Sequence, residues 1–176
     1  MKIQLVELSI PTRDGQFIAR YSGKGLAGLN FPEVGTHRRG ARSDFLRADR
    51  TPRRCVPTKI LRWHRATTNA LKNVLTGREP KNVPLLDLSG GTPFQQNVWR
   101  ALQKISRGKT RSYGEIARQI DKPKAVRAVG GACGANPIPI FIPCHRVLAA
   151  NGKPGGFSGG LNWKRKLLAG EGIVLR

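Results

Sequence analysis

Acidic residues are scarce in this chain. There are 10 Asp+Glu against 32 Lys+Arg, a formal net charge of +22 over 176 residues. Such an excess repels itself in the compact state and attracts polyanions. Nucleic acid is the first candidate partner, a membrane surface the second, and a ribosomal protein the plain alternative. Long apolar runs are also missing. None approaches the roughly 20 residues that span a bilayer, so no membrane insertion is expected. Lys2, Gln4 and Glu7 interrupt any secretory leader. Cysteine is limited to Cys55, Cys133 and Cys144. An odd, small number fits a reducing compartment, the cytoplasm or, in a eukaryote, the nucleus, better than a disulfide framework. No pair has C-x-x-C spacing. His37, Cys55 and His64 match no familiar zinc pattern, so no metal is expected.

The length leaves room for one large domain or two small ones with a real core. Short apolar runs (Ile3 to Leu8, Phe17 to Tyr21, Leu26 to Leu29) are separated by Asp14-Gly15 and Gly23-Lys24-Gly25. Gly-rich breaks between such runs predict hairpins, hence an antiparallel sheet of about three strands. Residues 35–57 turn to Gly, Arg, Asp and Pro. They predict a basic surface loop, with an extra contact to a polyanion as the functional alternative. Thr58 to Thr76 places Ile60, His64, Leu71, Val74 and Leu75 on one broad face before Gly77, which predicts a helix. His64 reads there as a packed or partly exposed side chain. Val83 to Leu88 reads as a short strand. Ser89-Gly90-Gly91 reads as the boundary between an N-terminal domain, 1–88, and a C-terminal one, 89–176.

The second half is better punctuated. Thr92-Pro93-Phe94-Gln95 and Ser112-Tyr113-Gly114-Glu115 are capping boxes, the first with proline at the first helical position. One opens a helix through Val98, Leu102 and Ile105 that Gly108 closes. The other opens a helix through Ile116, Ala117 and Ile120 that breaks at Asp121-Lys122-Pro123. A third helix follows from Lys124 to about Cys133, and Asn162 caps a last one through Leu167 and Leu168. Two short helices with a tight turn predict a helix-turn-helix. The expected class is α+β: a small N-terminal antiparallel sheet with a helix, then a mostly helical, winged-helix-like domain with a short strand carrying the site.

The third helix is made of Ala, Val and Gly around one long side chain, Arg127. A major-groove reader projects long polar groups at base edges. Small residues such as Ala128 and Gly131 instead bring the helix backbone close to DNA, which suits the minor groove with one cation inserted. Packing against a neighbouring helix is the alternative reason for small residues. Lys122 and Lys124 at the turn are natural phosphate contacts.

Downstream lies Pro143-Cys144-His145-Arg146-Val147, inside the apolar run Ile138 to Val147. A thiol is nucleophilic as thiolate, which needs a base or cation at neutral pH. In an extended segment Cys144 and His145 point to opposite faces, so a bridging water is expected between them. The base needs an orienting carboxylate. Glu115 belongs to a cap and Asp121 to a turn, which leaves Glu171 as the leading candidate. A cysteine protease holds a sequence-distant histidine directly against sulfur, and only His37 and His64 remain for that. A buried structural thiol is the other alternative. Beside a DNA reader, the pattern points to a thiol that accepts a group from a nucleobase.

Residues 92–176 resemble the C-terminal domain of the O6-alkylguanine-DNA alkyltransferases, the methylated-DNA–protein-cysteine methyltransferases. The resemblance is carried by TPFQQNVW at 92–99, SYGEIA at 112–117, KAVRAVGGA at 124–132, NPIPIFIPCHRV at 136–147, FSGGLNWKRKLL at 157–168 and GEG at 170–172. It covers roughly half of the chain, and PCHRV in this setting is specific. It implies a monomer that binds duplex DNA and flips an O6-alkylguanine, or an O4-alkylthymine, into a pocket. Cys144 takes the alkyl group irreversibly and no cofactor is used. Glu171, His145 and a water draw off the thiol proton. The Tyr113 hydroxyl donates to a ring nitrogen and the Ser158 amide to the oxygen, while the carbonyls of Cys144 and Val147 accept from the exocyclic amine. Asn136 is the hinge between reader helix and cysteine, and Arg127 replaces the flipped base. Phe157 stands where the family often has tyrosine, which keeps a pocket wall but no hydroxyl. Cys133 replaces a larger residue of some relatives, which implies room for bulkier alkyl groups. Alkyltransferase-like lesion-binding proteins are the non-catalytic alternative, and they lack the acceptor cysteine.

Overall fold

The computed structural model of the chain describes residues 5–32 and 56–175. His37, Cys55 and nearly all of the basic segment 35–57 lie outside them. The expected sheet is present. Strands β1 (Val6–Thr12), β2 (Gly15–Tyr21) and β3 (Leu26–Asn30) pair antiparallel in that order. Val6 faces Tyr21 at one end of the first hairpin and Thr12 faces Gly15 at the other. On β2 the two-residue period is plain: Phe17, Ala19 and Tyr21 are fully buried, while Gln16, Ile18 and Arg20 are not.

The strand expected over Val83 to Leu88 is a single bridge instead. The Leu26 amide donates to the Leu85 carbonyl (2.8 Å) and the Asp87 amide to the Leu26 carbonyl (2.7 Å). Pro84 has no N–H with which to extend the ladder. The crossing is so close that a Cβ on Gly25 would sit 2.3 Å from the Leu85 oxygen.

Helix α1 (Thr58–Leu75) buries Ile60, Trp63, Thr67, Ala70 and Leu71 at helical spacing. His64 is only half-buried and packs edge-on against Tyr21, with Nδ1 3.2 Å from its hydroxyl. Both capping boxes form, on α2 (Pro93–Gln103) and α3 (Tyr113–Gln119). Thr92 and Ser112 accept from the amides of Gln95 and Glu115, whose side chains accept in return. Helix α4 starts at Val126, two residues later than expected, because the turn through Asp121 runs on with an Ala125 to Lys122 bond. Strand β4 (Arg111–Ser112) lies parallel to β5 (Val147–Leu148).

Asn162 does not cap the last helix. Helix α5 spans Leu161–Gly170, and its cap position is Gly160 at φ 86. That left-handed conformation suits glycine and turns the chain into the helix one residue before asparagine could act. One contiguous core joins Ile10 and Phe17 of the sheet to Trp163 and Leu167 of α5 and to Val98, Ile116 and Val129. Phe17 and Phe31 contact the Trp163 ring at 5.4 and 5.0 Å. No helix among the described residues is long and apolar enough to cross a membrane.

Candidate active site

The site is built on a buried loop between α4 and β5. Asn136 opens it, and its side chain organises three later groups. Its Oδ1 accepts from the Ile138 amide (3.0 Å). Its Nδ2 donates to the Ile142 carbonyl (2.8 Å) and to the Cys144 sulfur (3.0 Å). Asn136, the hinge residue that the resemblance implies, is thus also a thiol contact. From outside the loop, the Leu29 amide of β3 donates to the Pro137 carbonyl (2.8 Å), so the N-terminal sheet steadies the hinge.

Cys144 is not in an extended segment. Cys144–Arg146 form a 3-10 turn, and β5 begins only at Val147. Pro143 before the turn fixes one dihedral, and the Cys144 amide donates to the Ile142 carbonyl (2.7 Å). Cys144 is 4% exposed and His145 is fully buried. His145 Nε2 lies 3.0 Å from Glu171 Oε1. An ionised carboxylate only accepts, so Nε2 carries the proton and Nδ1 keeps a lone pair. That Nδ1 is buried and makes no hydrogen bond among the described residues.

The charges follow from the surroundings. Burial pushes the Cys144 thiol above its ordinary value, and the Asn136 hydrogen bond and the Lys164 charge only partly oppose this. Burial pushes His145 down, against the hydrogen bond and charge of Glu171; Arg146 and Lys164 push it the same way as burial. Burial alone would raise Glu171, but hydrogen bonds from His145 and Arg146 outweigh it and hold the carboxyl at about 2. The site thus rests as a neutral thiol, a neutral imidazole and a carboxylate. Burial and the two thiols keep Tyr113 protonated well past neutrality.

This has a consequence for stability. The unfolded chain protonates His145 near pH 6.5, whereas the folded chain resists it. The unfolded state then binds more protons, so stability falls as pH drops below that value. Denaturant unfolding between pH 7 and 5 should show a steeper decline for the natural chain than for His145→Gln. Equal slopes would refute the assignment.

Phe157 is half-buried and meets His145 edge-on, with ring centroids 6.4 Å apart. Ser158 is exposed beside it. Both line a groove of about 980 Å³ with Phe31, Asn136, Pro137 and Pro139. Cys144 is not part of that wall; its sulfur is bonded to Asn136, which is. Val147 is buried, and its carbonyl accepts from Lys164 Nζ (2.6 Å), so one of its two lone pairs is already used.

Two residues at the site were not anticipated. Lys164 is fully buried on α5, bonded to the Val147 and Pro154 carbonyls, and its charge acts on Cys144 and Cys133. A lysine between Trp163 and the Leu167-Leu168 pair was a signal for it. Arg146 binds Glu171 across 25 positions, a pairing no local pattern encodes.

The helix-turn-helix is α3 and α4. Lys122, Lys124, Arg127, Ala128 and Gly131 are all exposed, while Val129, Ala132 and Cys133 face inward. The Trp99 indole donates to the Ala132 carbonyl (2.9 Å), locking α4 against α2. A Cβ on Gly131 would meet nothing within 4 Å. Internal packing therefore does not explain why that position is small.

Fold and site together define a helix-turn-helix protein built around a buried thiol beside a buried imidazole–carboxylate pair. Residues 93–173 match the family described as 6-O-methylguanine DNA methyltransferase, DNA binding domain. The methylated-DNA–protein-cysteine methyltransferase of Mycolicibacterium paratuberculosis is 62% identical over 86 residues, 49% of this chain and 52% of that protein. The Salmonella typhimurium protein of the same name is 52% identical over 87 residues, 49% of this chain and 51% of its own. The matched stretch thus spans about half the length of these curated relatives. The fold extends the likeness. A crystal structure of Mycobacterium tuberculosis OGT in complex with DNA superposes with a TM-score of 0.72 at 38% identity, covering 93% of this chain and 90% of that one. A Mycobacterium tuberculosis O6-methylguanine methyltransferase gives 0.70 at 36% identity, covering 96% and 93%. The chain belongs to the O6-methylguanine-DNA methyltransferase family.

Proposed function

We propose that the protein repairs DNA as a single-turnover alkyltransferase, moving the alkyl group of O6-alkylguanine, and of O4-alkylthymine, onto its own Cys144. The observation that carries this is the relay: a thiol held by Asn136, an imidazole with a free buried lone pair, and a carboxylate that fixes the imidazole's tautomer. The sulfur attacks the alkyl carbon in line. An S–C bond forms as the C–O6 bond breaks, and its electron pair goes to guanine. The thiol proton passes through a water to His145 Nδ1, and the imidazolium is balanced by Glu171. Tyr113, kept protonated, donates to the ring nitrogen of the leaving guanine, and the Ser158 amide donates to its oxygen. Carbonyls of Cys144 and Val147 receive the exocyclic amine. Residues 89–176 form the alkyl-transfer domain and residues 1–88 a structural support. The protein acts as a monomer, in the cytoplasm or, in a eukaryote, the nucleus, and needs no cofactor.

Duplex binding falls to the exposed face of α4. Ala128 and Gly131 let its backbone approach the minor groove, Lys122 and Lys124 contact phosphates, and Arg127 fills the gap left by the flipped base. Arg127→Ala is expected to slow transfer from duplex by about tenfold, a loss of roughly 1.4 kcal/mol. Transfer from free O6-benzylguanine should hardly change. Equal losses on both substrates would remove Arg127 from that role.

The deciding experiment is an intact-mass spectrum after mixing the protein with a duplex containing O6-methylguanine. A gain of one methyl group on the Cys144 peptide is expected. Tight lesion binding without any gain would make the protein a lesion sensor instead.

A further inference from the structure

Arg146 follows His145 in the 3-10 turn, and its guanidinium grips the same carboxylate. Its Nε donates to both Glu171 oxygens (3.1 and 3.0 Å). Its Nη2 donates to Oε1 (2.8 Å), the oxygen that also receives His145 Nε2 (3.0 Å). The remaining nitrogen, Nη1, donates to the Ile105 carbonyl, and the Gly108 amide donates to Oε2 (3.2 Å). The Arg146 side chain is 15% exposed and that of Glu171 5%. One carboxylate oxygen is thus shared by a permanent cation and by the base of the relay.

We propose that Arg146 is a positioning residue for alkyl transfer: its guanidinium is the standing counter-charge of Glu171, so the carboxylate orients His145 while the imidazole stays neutral until Cys144 gives up its proton. This rests on the alkyl-transfer reading of the same site. A buried carboxylate whose sole ionisable neighbour is an imidazole satisfies itself by drawing a proton onto the ring. An imidazolium already formed cannot take a second proton from the thiol. With Arg146 in place the ion pair is complete beforehand, and the ring's lone pair is kept for the reaction.

The groups around His145 agree with this balance. Glu171 favours the imidazolium from beyond α5. Arg146 in the same turn and Lys164 on α5 oppose it, and burial opposes it further. Cys144 is the proton donor beside it, and the Phe157 edge covers the ring with an apolar face.

The test uses the full chain with Arg146→Gln and Arg146→Lys. Three quantities are followed: thermal unfolding, the pH dependence of the single-turnover rate on an O6-methylguanine duplex, and an NMR titration of the His145 ring. In folded Arg146→Gln, the acidic limb of the rate and the ring's midpoint should both move up by about one pH unit or more. Arg146→Lys keeps the charge and loses the fork, so its midpoint should stay near the natural one. A folded Gln variant with unmoved limb and midpoint overturns the proposal and leaves Arg146 a structural tie. Should that variant fail to fold, the natural chain decides. Its ring should stay neutral well below pH 6.5, and a midpoint above 7 overturns the proposal. A natural chain that transfers no methyl group refutes the alkyl-transfer reading instead, while the ring titration still reads the role of Arg146.

Discussion

Cys144→Ser is expected to abolish methyl gain from an O6-methylguanine duplex while leaving duplex affinity nearly unchanged. A hydroxyl in the same place keeps the Asn136 hydrogen bond and the size of the side chain. It lacks the thiolate's intrinsic nucleophilicity, and the relay cannot supply the difference, because a neutral imidazole is a weak base toward an alcohol. Binding should survive, since the exposed residues of α4 belong to a different face from the buried turn at 144. Intact mass and fluorescence anisotropy on one sample separate the two effects. Retained transfer would move the acceptor to another thiol. Cys133 is the described alternative, and it is poorly suited: burial pushes its thiol up to about 12, with Cys144 adding to the shift and Lys164 only partly offsetting it.

Much of this architecture was legible in the chain because it is written locally. The capping boxes at Thr92 and Ser112 are short-range exchanges between a hydroxyl, a backbone amide and a side chain three residues on, and both form. The sheet follows from alternating runs and Asp-Gly and Gly-Lys-Gly breaks, and its three strands pair as expected. What was missed depends on distance in sequence or on one backbone angle. Asn162 has the right chemistry for a cap, yet Gly160, at φ 86, starts α5 first. Val83 to Leu88 has a strand's composition, but Pro84 and a single crossing with Leu26 limit it to a bridge. The 3-10 turn at Cys144 was hidden because Pro-Cys-His-Arg has no periodicity. Glu171 was found by eliminating other acids, a route open only because acids are so few.

The relay also shows why the thiol is placed so deep. In water a cysteine would titrate near 8.5; here burial pushes the thiol up and keeps it protonated at neutral pH. On the alkyl-transfer reading, that protects an acceptor which is used once. The cost is that activation must come from groups already in place: His145 in the loop that Asn136 ties together, and Lys164 and Glu171 on and just after α5.

Asn136→Ala is therefore expected to fail twice, in stability and in rate. Alanine removes the acceptor of the buried Ile138 amide, which is left unpaired, and one of the two donors to the Ile142 carbonyl, which keeps the Cys144 amide. A buried amide left unpaired costs about 1–3 kcal/mol and a lost hydrogen bond about 0.5–1.5 kcal/mol, so a loss of about 1.5–4.5 kcal/mol follows. At roughly 2–4 °C per kcal/mol for a chain of this size, the unfolding midpoint should drop by about 3–18 °C. The rate falls for a separate reason: the Cys144 sulfur loses its hydrogen bond, one of the influences that favour the thiolate. Asn136→Asp distinguishes the two. Its Oδ1 still accepts from Ile138, so it should regain part of the stability, but a carboxylate beside the sulfur disfavours the thiolate and should slow transfer further. Thermal unfolding and single-turnover rates, the latter measured below the lowest midpoint, give both quantities. An alanine variant that unfolds within about a degree of the natural chain, short of the drop expected from one unpaired amide and one lost hydrogen bond, would mean that the loop is held by its prolines and by the Leu29–Pro137 bond, with Asn136 serving the sulfur alone.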